Sequence, residues 1–376
     1  MNGVAWDLTG LLQAEVEALM VELGQPGYRG RQLFQWVQAR RATSLETMTS
    51  LSRSLRTELG SRVAVSRPAV ARAQRATDGT RKFLFSLRDG EEIESVLIPD
   101  EDRLTACIST QVGCPLACRF CLTGLMGMRR NLTAAEIVGE VLLLQDQLDS
   151  GERISNLVLM GMGEPLLNFP EVERALRILC DPHGANFSPR RITLSTAGHV
   201  PGIKKLAESD LGVNLAVSLS ATTDLVRDQL MPINKRWPIA VLLEACRAYP
   251  LPNRRRLTVE YVLLDGVNDS AADAKRLVRL LRGIRCKINL IPFNATPDLP
   301  DRPSPPEQVE LFQQILCDAR LTATIRESRG RDISAACGML RTERERGGPA
   351  PNGLSPAVAD TAFARSGFRR FGVRHL

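Results

Sequence analysis

Long apolar runs, a secretory leader and clustered histidines are all missing from this sequence. No stretch approaches the ~20 consecutive apolar residues that a membrane-spanning helix needs. The amino-terminal segment MNGVAWDLTGLLQAEVEALM carries acidic residues early, with no basic region ahead of an apolar one. The three histidines fit no ligand spacing: His183, His199 and His375. We therefore expect a cytoplasmic protein with no membrane partner and no metal site built on histidine.

A disulfide framework is missing as well, although cysteine is not. The nine cysteines do not pair by spacing as they do in small secreted domains, and they fit a reducing compartment. The 376 residues exceed a typical single domain, and a hydrophobic content of 44% is enough for a sizeable core. Lys and Arg number 49 against 42 Asp and Glu, a net charge of +7. This balance is compatible with a polyanionic partner such as RNA, but alone it is weak evidence.

The most informative pattern is the stretch CPLACRFC, in which Cys114, Cys118 and Cys121 have the spacing C-x3-C-x2-C. Structural zinc and ordinary iron–sulfur clusters take four protein ligands. A cubane cluster held by three thiolates leaves one iron free to chelate a small molecule. The spacing thus resembles that of radical S-adenosylmethionine (SAM) enzymes, in which that iron binds SAM. The alternatives are a zinc loop, or chance cysteines at the start of a helix.

Apolar periodicity divides the chain into four predicted segments. Residues 1–62 are predicted to be helical, 63–100 to form short strands, and 101–340 to alternate strands with helices. Near-continuous Val, Ile and Leu strands that alternate with helices indicate a parallel sheet, and six such units predict an α/β partial (β/α)6 barrel. The helices of 1–62 are either an RNA-binding accessory domain or a small bundle with an ordinary charged face. Residues 341–376, rich in Arg, Gly and Pro, predict a mostly disordered basic tail.

Several polar residues fall at the ends of the predicted barrel strands. In (β/α) barrels the functional loops lie at the C-terminal ends of the strands. The cysteine loop, the turn GMGEP, and Ser195, Ser218 and Asn294 all occupy such positions. We therefore expect them to share one site.

Seven strings in order carry a resemblance to the RlmN/Cfr family of radical-SAM RNA adenosine methyltransferases. Between about residues 90 and 340 they are CISTQVGCPLACRFCLTG, NLVLMGMGEPLLN, RITLSTAG, NLAVSLSA, VEYVLLDGVND, INLIPFNA and IRESRGRDISAACG. The resemblance implies a [4Fe-4S] cluster on Cys114, Cys118 and Cys121, and SAM as the second cofactor. It also implies methylation of adenosine carbon 2 in 23S rRNA and tRNA, with two SAM per turnover and an electron donor such as flavodoxin.

Two other functions stay open at this point. A carbon-8 rRNA methyltransferase would use the same cysteines, and a non-catalytic iron–sulfur or zinc module could belong to an RNA-binding protein. No interface pattern is visible in the sequence, and we expect a monomer.

The resemblance also implies roles for three residues outside the cysteine loop. Cys337, in AACG, would take a methyl group from one SAM and become S-methylcysteine. A radical derived from a second SAM would then remove hydrogen from this methyl group, and the resulting methylene radical would add to the adenine ring. Glu94 would accept the ring proton, and Cys107 would attack the Cys337 sulfur in a transient disulfide. The plain alternatives are a buried core residue for either cysteine and a solvated acid for Glu94.

Seven further residues match SAM-contacting positions of the family: Gly163, Glu164, Ser195, Ser218, Leu219, Ser220 and Asn294. A glycine at a strand end lets the backbone approach a ligand closely, and the Glu164 carboxylate can receive the SAM ammonium group. The family usually reads Ser-Leu-His where this chain has Ser218, Leu219 and Ser220, so only a backbone contact is expected at the last position. The remaining cysteines are predicted to be core residues: Cys180, Cys246, Cys286 and Cys317.

Overall fold

The computed structural model of the protein describes residues 6–342, and the predicted tail therefore lies almost wholly outside the described residues. The N-terminal part contains β1 Trp6–Asp7, α1 Gln13–Glu22, α2 Tyr28–Gln38, α3 Arg53–Gly60 and β2 Val63–Ala64. Helices α1 and α2 cross so closely at Gly30 that an added Cβ would lie 2.4 Å from the Cα of Glu17. The predicted helical segment is present, and a two-stranded parallel sheet of β1 and β2 accompanies it.

Four antiparallel strands follow, and they belong to the same sheet as the barrel. They are β3 Ala69–Arg75, β4 Arg81–Ser86, β5 Glu92–Asp100 and β6 Arg103–Cys107. Gly79 and Gly90 take positive φ angles of 83° and 80° in the turns on either side of β4, which matches the turn signals DGT and RDG. Because β6 also pairs in parallel with the next barrel strand, residues 69–107 extend the main sheet continuously.

Six parallel strands complete this sheet after β6. A hairpin, β7 Gln111–Gly113 with β8 Met128–Asn131, comes first and encloses the short helix α4 Leu122–Leu125. The parallel strands are β9 Asn156–Leu159, β10 Ile192–Thr196, β11 Asn214–Ser218, β12 Leu257–Leu263, β13 Cys286–Pro292 and β14 Ala323–Ile325. The sheet runs β14-β13-β12-β11-β10-β9-β6-β5-β4-β3 and has two free ends, so the barrel is open. The predicted partial barrel is confirmed, with β14 as an additional short edge strand.

Helices on the outside of the barrel cover the parallel strands. They are α5 Ala134–Asp146, α6 Phe169–Cys180, α7 Val200–Glu208, α8 Asp224–Leu230, α9 Ile239–Ala248, α10 Ala271–Leu280 and α11 Pro306–Asp318. Short 3-10 turns lie at Leu8–Gly10, Leu45–Thr47, Pro165–Asn168, Pro189–Arg191, Pro232–Lys235 and Arg331–Ile333. Helix α5 begins with a capping box, in which Thr133 and Glu136 each satisfy the backbone N–H of the other. Within residues 6–342, no helix combines the length and hydropathy of a membrane span.

Helix α11 shows why one cysteine prediction is wrong. Its buried residues Val309, Phe312 and Leu316 are spaced by three and four and form one inward stripe. Cys317 is one residue, or about 100°, further round the helix, and its side chain is exposed rather than in the core. Cys246 and Cys286 are buried as predicted, and Cys180 is only partly buried.

Candidate active site

The cysteine loop begins at the end of β7 and ends at the short helix α4. Gly113 is required there, since its φ is 78° and an added Cβ would lie 1.9 Å from the carbonyl oxygen of Gly127. The N–H of Cys114 donates to that same oxygen at 2.8 Å, and the N–H of Cys121 donates to the Cys118 oxygen at 3.1 Å. These contacts fold the loop into a tight turn that brings its three cysteines close enough to interact electrostatically.

The three cysteines are partly buried, and their thiols interact electrostatically. Burial, and then the neighbouring thiols, raise the pKa of Cys114 well above its ordinary value and that of Cys118 to about 12. Burial also raises the pKa of Cys121. Ionised thiols in this loop would repel one another. A cationic iron centre offsets this repulsion, because it binds the soft thiolates and so favours loss of the thiol protons. Within residues 6–342, no three His, Cys, Asp or Glu side chains converge closely enough for a single metal ion.

Cys337 lies on a segment that docks against the cysteine loop. The N–H of Leu122 donates to the Gly338 oxygen at 2.7 Å, and the Thr123 hydroxyl donates to the Leu340 oxygen at 2.7 Å. Asn294 reaches the same segment from the end of β13, where its Nδ2 donates to the Cys337 oxygen at 3.1 Å. The Cys337 side chain itself is exposed, so it is accessible to a reaction partner.

Cys107 ends strand β6 and is buried in the barrel, close to Cys337. Burial comes first in raising its pKa, and interaction with the Cys337 thiol adds to this effect. The backbone N–H of Met160 bonds to its sulfur, and the nearby Arg326 guanidinium opposes the rise in pKa. The Cys337 thiol also interacts with Cys121 of the cysteine loop. The structure thus places Cys337 beside both Cys107 and the cysteine loop.

Glu94 is buried, with 2% of its surface exposed, so it is not the solvated acid that a strand edge would allow. Its Oε1 lies 3.0 Å from the Nζ of Lys82, a buried ion pair. Its Oε2 accepts a hydrogen bond of 2.8 Å from the N–H of Arg341, four residues after Cys337. The Ser109 hydroxyl donates to the Glu94 backbone oxygen at 2.7 Å. The carboxylate is therefore held in one position against the segment that carries Cys337.

The residues expected to contact SAM end neighbouring barrel strands. Gly163 has a φ of 104° and packs against Gln111, whose Oε1 accepts the Glu164 N–H at 2.8 Å. Burial raises the pKa of Glu164 to about 7, against hydrogen bonds that its carboxylate accepts from Ala197 and Leu166. A cationic ligand would offset this burial and favour the carboxylate.

The next strands bring Ser195 and Ser218 to the same end of the barrel, both half-buried. The Asn294 Oδ1 is buried and has no hydrogen-bond partner among residues 6–342. A buried, unsatisfied acceptor fits an incoming donor such as the SAM amino group. The Ser220 side chain faces elsewhere. It lies in the left-handed region with φ at 48°, its Oγ accepts the Val262 N–H at 3.3 Å, and its backbone oxygen accepts a hydrogen bond from the Asn268 Nδ2 at 2.7 Å.

Comparisons with known proteins identify the family of this chain. The Radical SAM superfamily model matches residues 108–281, and that of the ribosomal RNA large subunit methyltransferase N-terminal domain matches 6–65. A curated relative from Syntrophus aciditrophicus, "Dual-specificity RNA methyltransferase RlmN", is 52% identical over 87% of this chain and 93% of its own length. The chain belongs to the RlmN family. The Geobacter sulfurreducens member is 50% identical over 94% of this chain and 97% of its own length.

A solved structure also supports the fold. The crystal structure of a radical SAM methyltransferase from Sphaerobacter thermophilus has a TM-score of 0.86 and 46% identity, covering 89% of this chain and 99% of the other. The match spans more of the chain than the superfamily model alone, and it confirms the barrel.

Sequence reasoning missed a group of polar residues inside the RlmN barrel. Asn289 Nδ2 donates to Glu260 Oε1 at 3.0 Å, and Arg326 lies close enough to Glu260, Cys107 and Cys337 to interact with all three charges. Burial raises the pKa of Glu260. The sequence does contain a signal for Glu260: it is the one charged residue in the mostly apolar strand LTVEYVL, and the period-two pattern places it on the inward face.

Arg227 was missed for a different reason, since it lies on a helix and is fully buried. Its guanidinium donates to the backbone oxygens of Leu219, Ala197 and Ser218 at 3.0, 2.7 and 3.0 Å. It therefore ties together the loops that follow β10 and β11. Burial lowers its pKa to about 10, and the nearby Cys118 thiol acts against this.

Proposed function

We propose that this protein methylates carbon 2 of adenosine in 23S rRNA and tRNA through an S-methylcysteine at Cys337. One observation carries the proposal: the exposed Cys337 thiol lies beside Cys107 and the cysteine loop, on a segment that also contacts the Glu94 carboxylate. A metal-binding module would need neither Cys107 nor Cys337. Membership of a family whose curated members are named dual-specificity RNA methyltransferases supports RNA methylation as the activity.

The donor set fits two cofactors. Cys114, Cys118 and Cys121 would hold a [4Fe-4S] cluster, and Glu164 and Asn294, with the strand ends at Ser195 and Ser218, would hold SAM. When bound, the cluster supplies the electron that cleaves SAM homolytically and so makes hydrogen abstraction from an unactivated methyl group possible.

Three residues of the chain have separate roles in the reaction. The accessible Cys337 thiolate attacks the methyl carbon of one SAM, becomes a thioether and releases S-adenosylhomocysteine; this route is needed because carbon 2 of adenine is too electron-poor to attack SAM itself. After the Cys337 methyl carbon has joined the adenine ring, Glu94 accepts the proton of carbon 2. Cys107 then attacks the Cys337 sulfur: the Cys107–Cys337 disulfide forms, the bond from the Cys337 sulfur to the methylene carbon breaks, and that carbon takes a proton from solvent to become the methyl group of the released base. The unpaired electron that radical addition leaves on the ring adduct would return to the iron–sulfur cluster. The nearby Arg326 cation favours the Cys107 thiolate that this attack requires.

We propose that the N-terminal helical domain, residues 1–62, selects the RNA, followed by a β-rich linker at 63–100 and the radical-SAM core at 101–340. On α2 and just after it, Arg29 lies over the Tyr28 ring at 5.2 Å and Arg40 over the Trp36 ring at 4.3 Å. Cationic and aromatic groups together suit unpaired nucleotides, which stack as well as carry charge. We also propose that the protein acts as a monomer with an electron donor such as flavodoxin.

Nucleoside mass spectrometry tests the proposed function. Reconstituted protein is incubated without oxygen with SAM, a reductant, and either 23S rRNA fragments or bulk tRNA. We expect 2-methyladenosine from the intact protein, none from Cys337→Ala, and normal amounts from Cys317→Ala, whose thiol lies on the outer face of α11. The appearance of 8-methyladenosine instead would contradict the carbon-2 assignment, and equal product from Cys337→Ala would contradict the S-methylcysteine route.

A further inference from the structure

Lys82 is a charged residue buried in strand β4, next to the apolar run Phe83–Phe85. Only 2% of its side chain is exposed, and its Nζ lies 3.0 Å from the Oε1 of Glu94, whose side chain is 3% exposed. A buried ion pair is costly to desolvate, and an apolar pair of similar volume often gives equal or greater stability. Stability alone therefore does not account for a lysine at this position.

The strand register brings the two side chains together. Across the antiparallel pair, Lys82 lies opposite Val96 and Leu84 lies opposite Glu94. Lys82 and Glu94 are thus diagonal neighbours on one face of the sheet, within reach of long side chains. Phe83 and Phe85, in alternate positions of β4, point to the other face and are buried there. The ion pair is built into two strands of the main sheet and does not depend on a loop.

Lys82 also holds the segment that carries Cys337. Its Nζ donates to the backbone oxygen of Ser334 at 3.3 Å, three residues before Cys337. Glu94 contacts the same segment on the other side of Cys337, through the N–H of Arg341. The lysine and the glutamate therefore bind the segment on both sides of the reactive thiol.

Other charged groups approach Glu94 from behind the sheet. The Glu140 carboxylate of α5 accepts hydrogen bonds from the Ser95 hydroxyl and the Ser109 N–H, and Ser109 in turn contacts the Glu94 backbone. Burial raises the pKa of Glu140 to about 8, so it is largely neutral at pH 7 and adds little negative charge near Glu94. The Lys82 ammonium group is in direct contact with the Glu94 carboxylate and is itself buried, so its charge acts on this carboxylate with little screening by solvent.

We propose that Lys82 is a positioning residue for the methyl transfer to RNA: it keeps Glu94 ionised and holds it at a fixed place relative to Cys337. An ionised carboxylate can accept the proton of adenine carbon 2, whereas a buried carboxylate without a nearby cation takes up a proton from solvent and cannot. The proposal rests on the proposed function, in which Glu94 is the proton acceptor.

The first test needs neither cofactor nor RNA. Infrared spectra of the purified protein at pH 7 are compared for the wild type, Lys82→Met and the double variant Lys82→Met/Glu94→Gln. We expect Lys82→Met to show an additional carbonyl band of a protonated carboxylic acid, beyond the band of neutral Glu140 that all three proteins share, and the double variant to lack this additional band. Lys275→Met, which removes an exposed lysine from α10, is the matched control and should give the wild-type spectrum. No additional band in Lys82→Met would overturn the proposal.

The second test is the pH dependence of methylated adenosine formation, normalised to the fraction of Cys337 that is methylated. We expect the acid limb of the profile to move to higher pH by about 2 units in Lys82→Met, and the rate at pH 7 to fall at least ~10-fold. Lys82→Arg restores a cation and should return the limb to its wild-type position. A merely structural lysine would lower the rate at every pH and leave the limb unmoved, which would contradict the proposal.

The two tests separate this proposal from the proposed function. If Glu94→Gln forms methylated adenosine at the wild-type rate, Glu94 is not the proton acceptor, and that failure belongs to the proposed function. If Glu94→Gln is inactive while Lys82→Met keeps the wild-type spectrum and pH profile, the function stands and the role of Lys82 is wrong. If Lys82→Met does not fold, Lys82→Arg is compared with the double variant instead. Because Lys82→Arg retains a cation, it must keep the Glu94 carboxylate ionised and the acid limb at its wild-type pH.

Discussion

Gly338→Ala is the substitution whose effect on the site can be worked out most directly from the structure. Gly338 follows Cys337, has a φ of 81°, and an added Cβ would lie 2.8 Å from the carbonyl oxygen of Phe120 in the cysteine loop. Ordinary contact begins at 3.4 Å, so the segment must move away by about 0.6 Å. A displacement of 1 Å at a reacting group can lower a rate by ~100-fold, and we expect roughly a 10-fold loss here.

Gly283→Ala is the matched control for this prediction. Its φ is 80°, almost the same as that of Gly338, but an added Cβ there meets nothing within 4 Å. Both variants carry the left-handed strain of about 1 kcal/mol, and only Gly338→Ala carries the clash. The assay is single-turnover formation of methylated adenosine, with urea unfolding to check that both proteins are folded. Equal rates in the two variants would refute the inferred docking of the Cys337 segment on the cysteine loop.

Three further predictions concern Arg227, Glu140 and Cys118. Arg227→Met leaves the oxygens of Leu219, Ala197 and Ser218 without their donor, and we expect a loss of roughly 3 kcal/mol in the free energy of unfolding in urea; an unchanged midpoint would refute this. Burial raises the Glu140 pKa from 4.5 to about 8, so its neutral form stabilises the fold below pH 4.5 and this contribution is lost as pH rises to 8. The free energy of unfolding of the wild type should therefore decrease as pH rises over this range, and Glu140→Gln should make that decrease shallower by up to about 1 kcal/mol per pH unit. A variant with the same slope as the wild type would contradict the inference that Glu140 is a buried, neutral acid. Cys118→Ser should lower the iron bound after anaerobic reconstitution from about four per chain, whereas Cys317→Ser should not, and full iron in Cys118→Ser would contradict the ligand assignment.

The barrel could be predicted because its signal is local. The parallel strands are rich in Val, Ile and Leu, and the spacing of their apolar residues differs from that of the intervening helices. The cysteine loop was predicted for the same reason, since three thiols within eight residues must lie near one another. Both patterns depend on neighbours in the chain rather than on the arrangement of distant segments.

The pairing of Lys82 with Glu94 could not be predicted, because it depends on strand register. A shift of one residue between β4 and β5 would place the two side chains on opposite faces of the sheet. The sequence also gave no sign that the strands of residues 69–107 continue the barrel sheet. Arg227 and Cys317 show the same limit for helices: which face of α8 or α11 is buried depends on what packs against it.

The origin of the hydrogen atoms in the product methyl group tests the central claim most directly. The protein is supplied with SAM whose methyl group carries three deuterium atoms, and the methylated adenosine is analysed by mass spectrometry. If the methyl group passes through Cys337 and loses one hydrogen there, the 2-methyladenosine carries two deuterium atoms, and Cys337→Ala forms none. A methyl group that keeps all three, or product that does not depend on Cys337, would contradict the account.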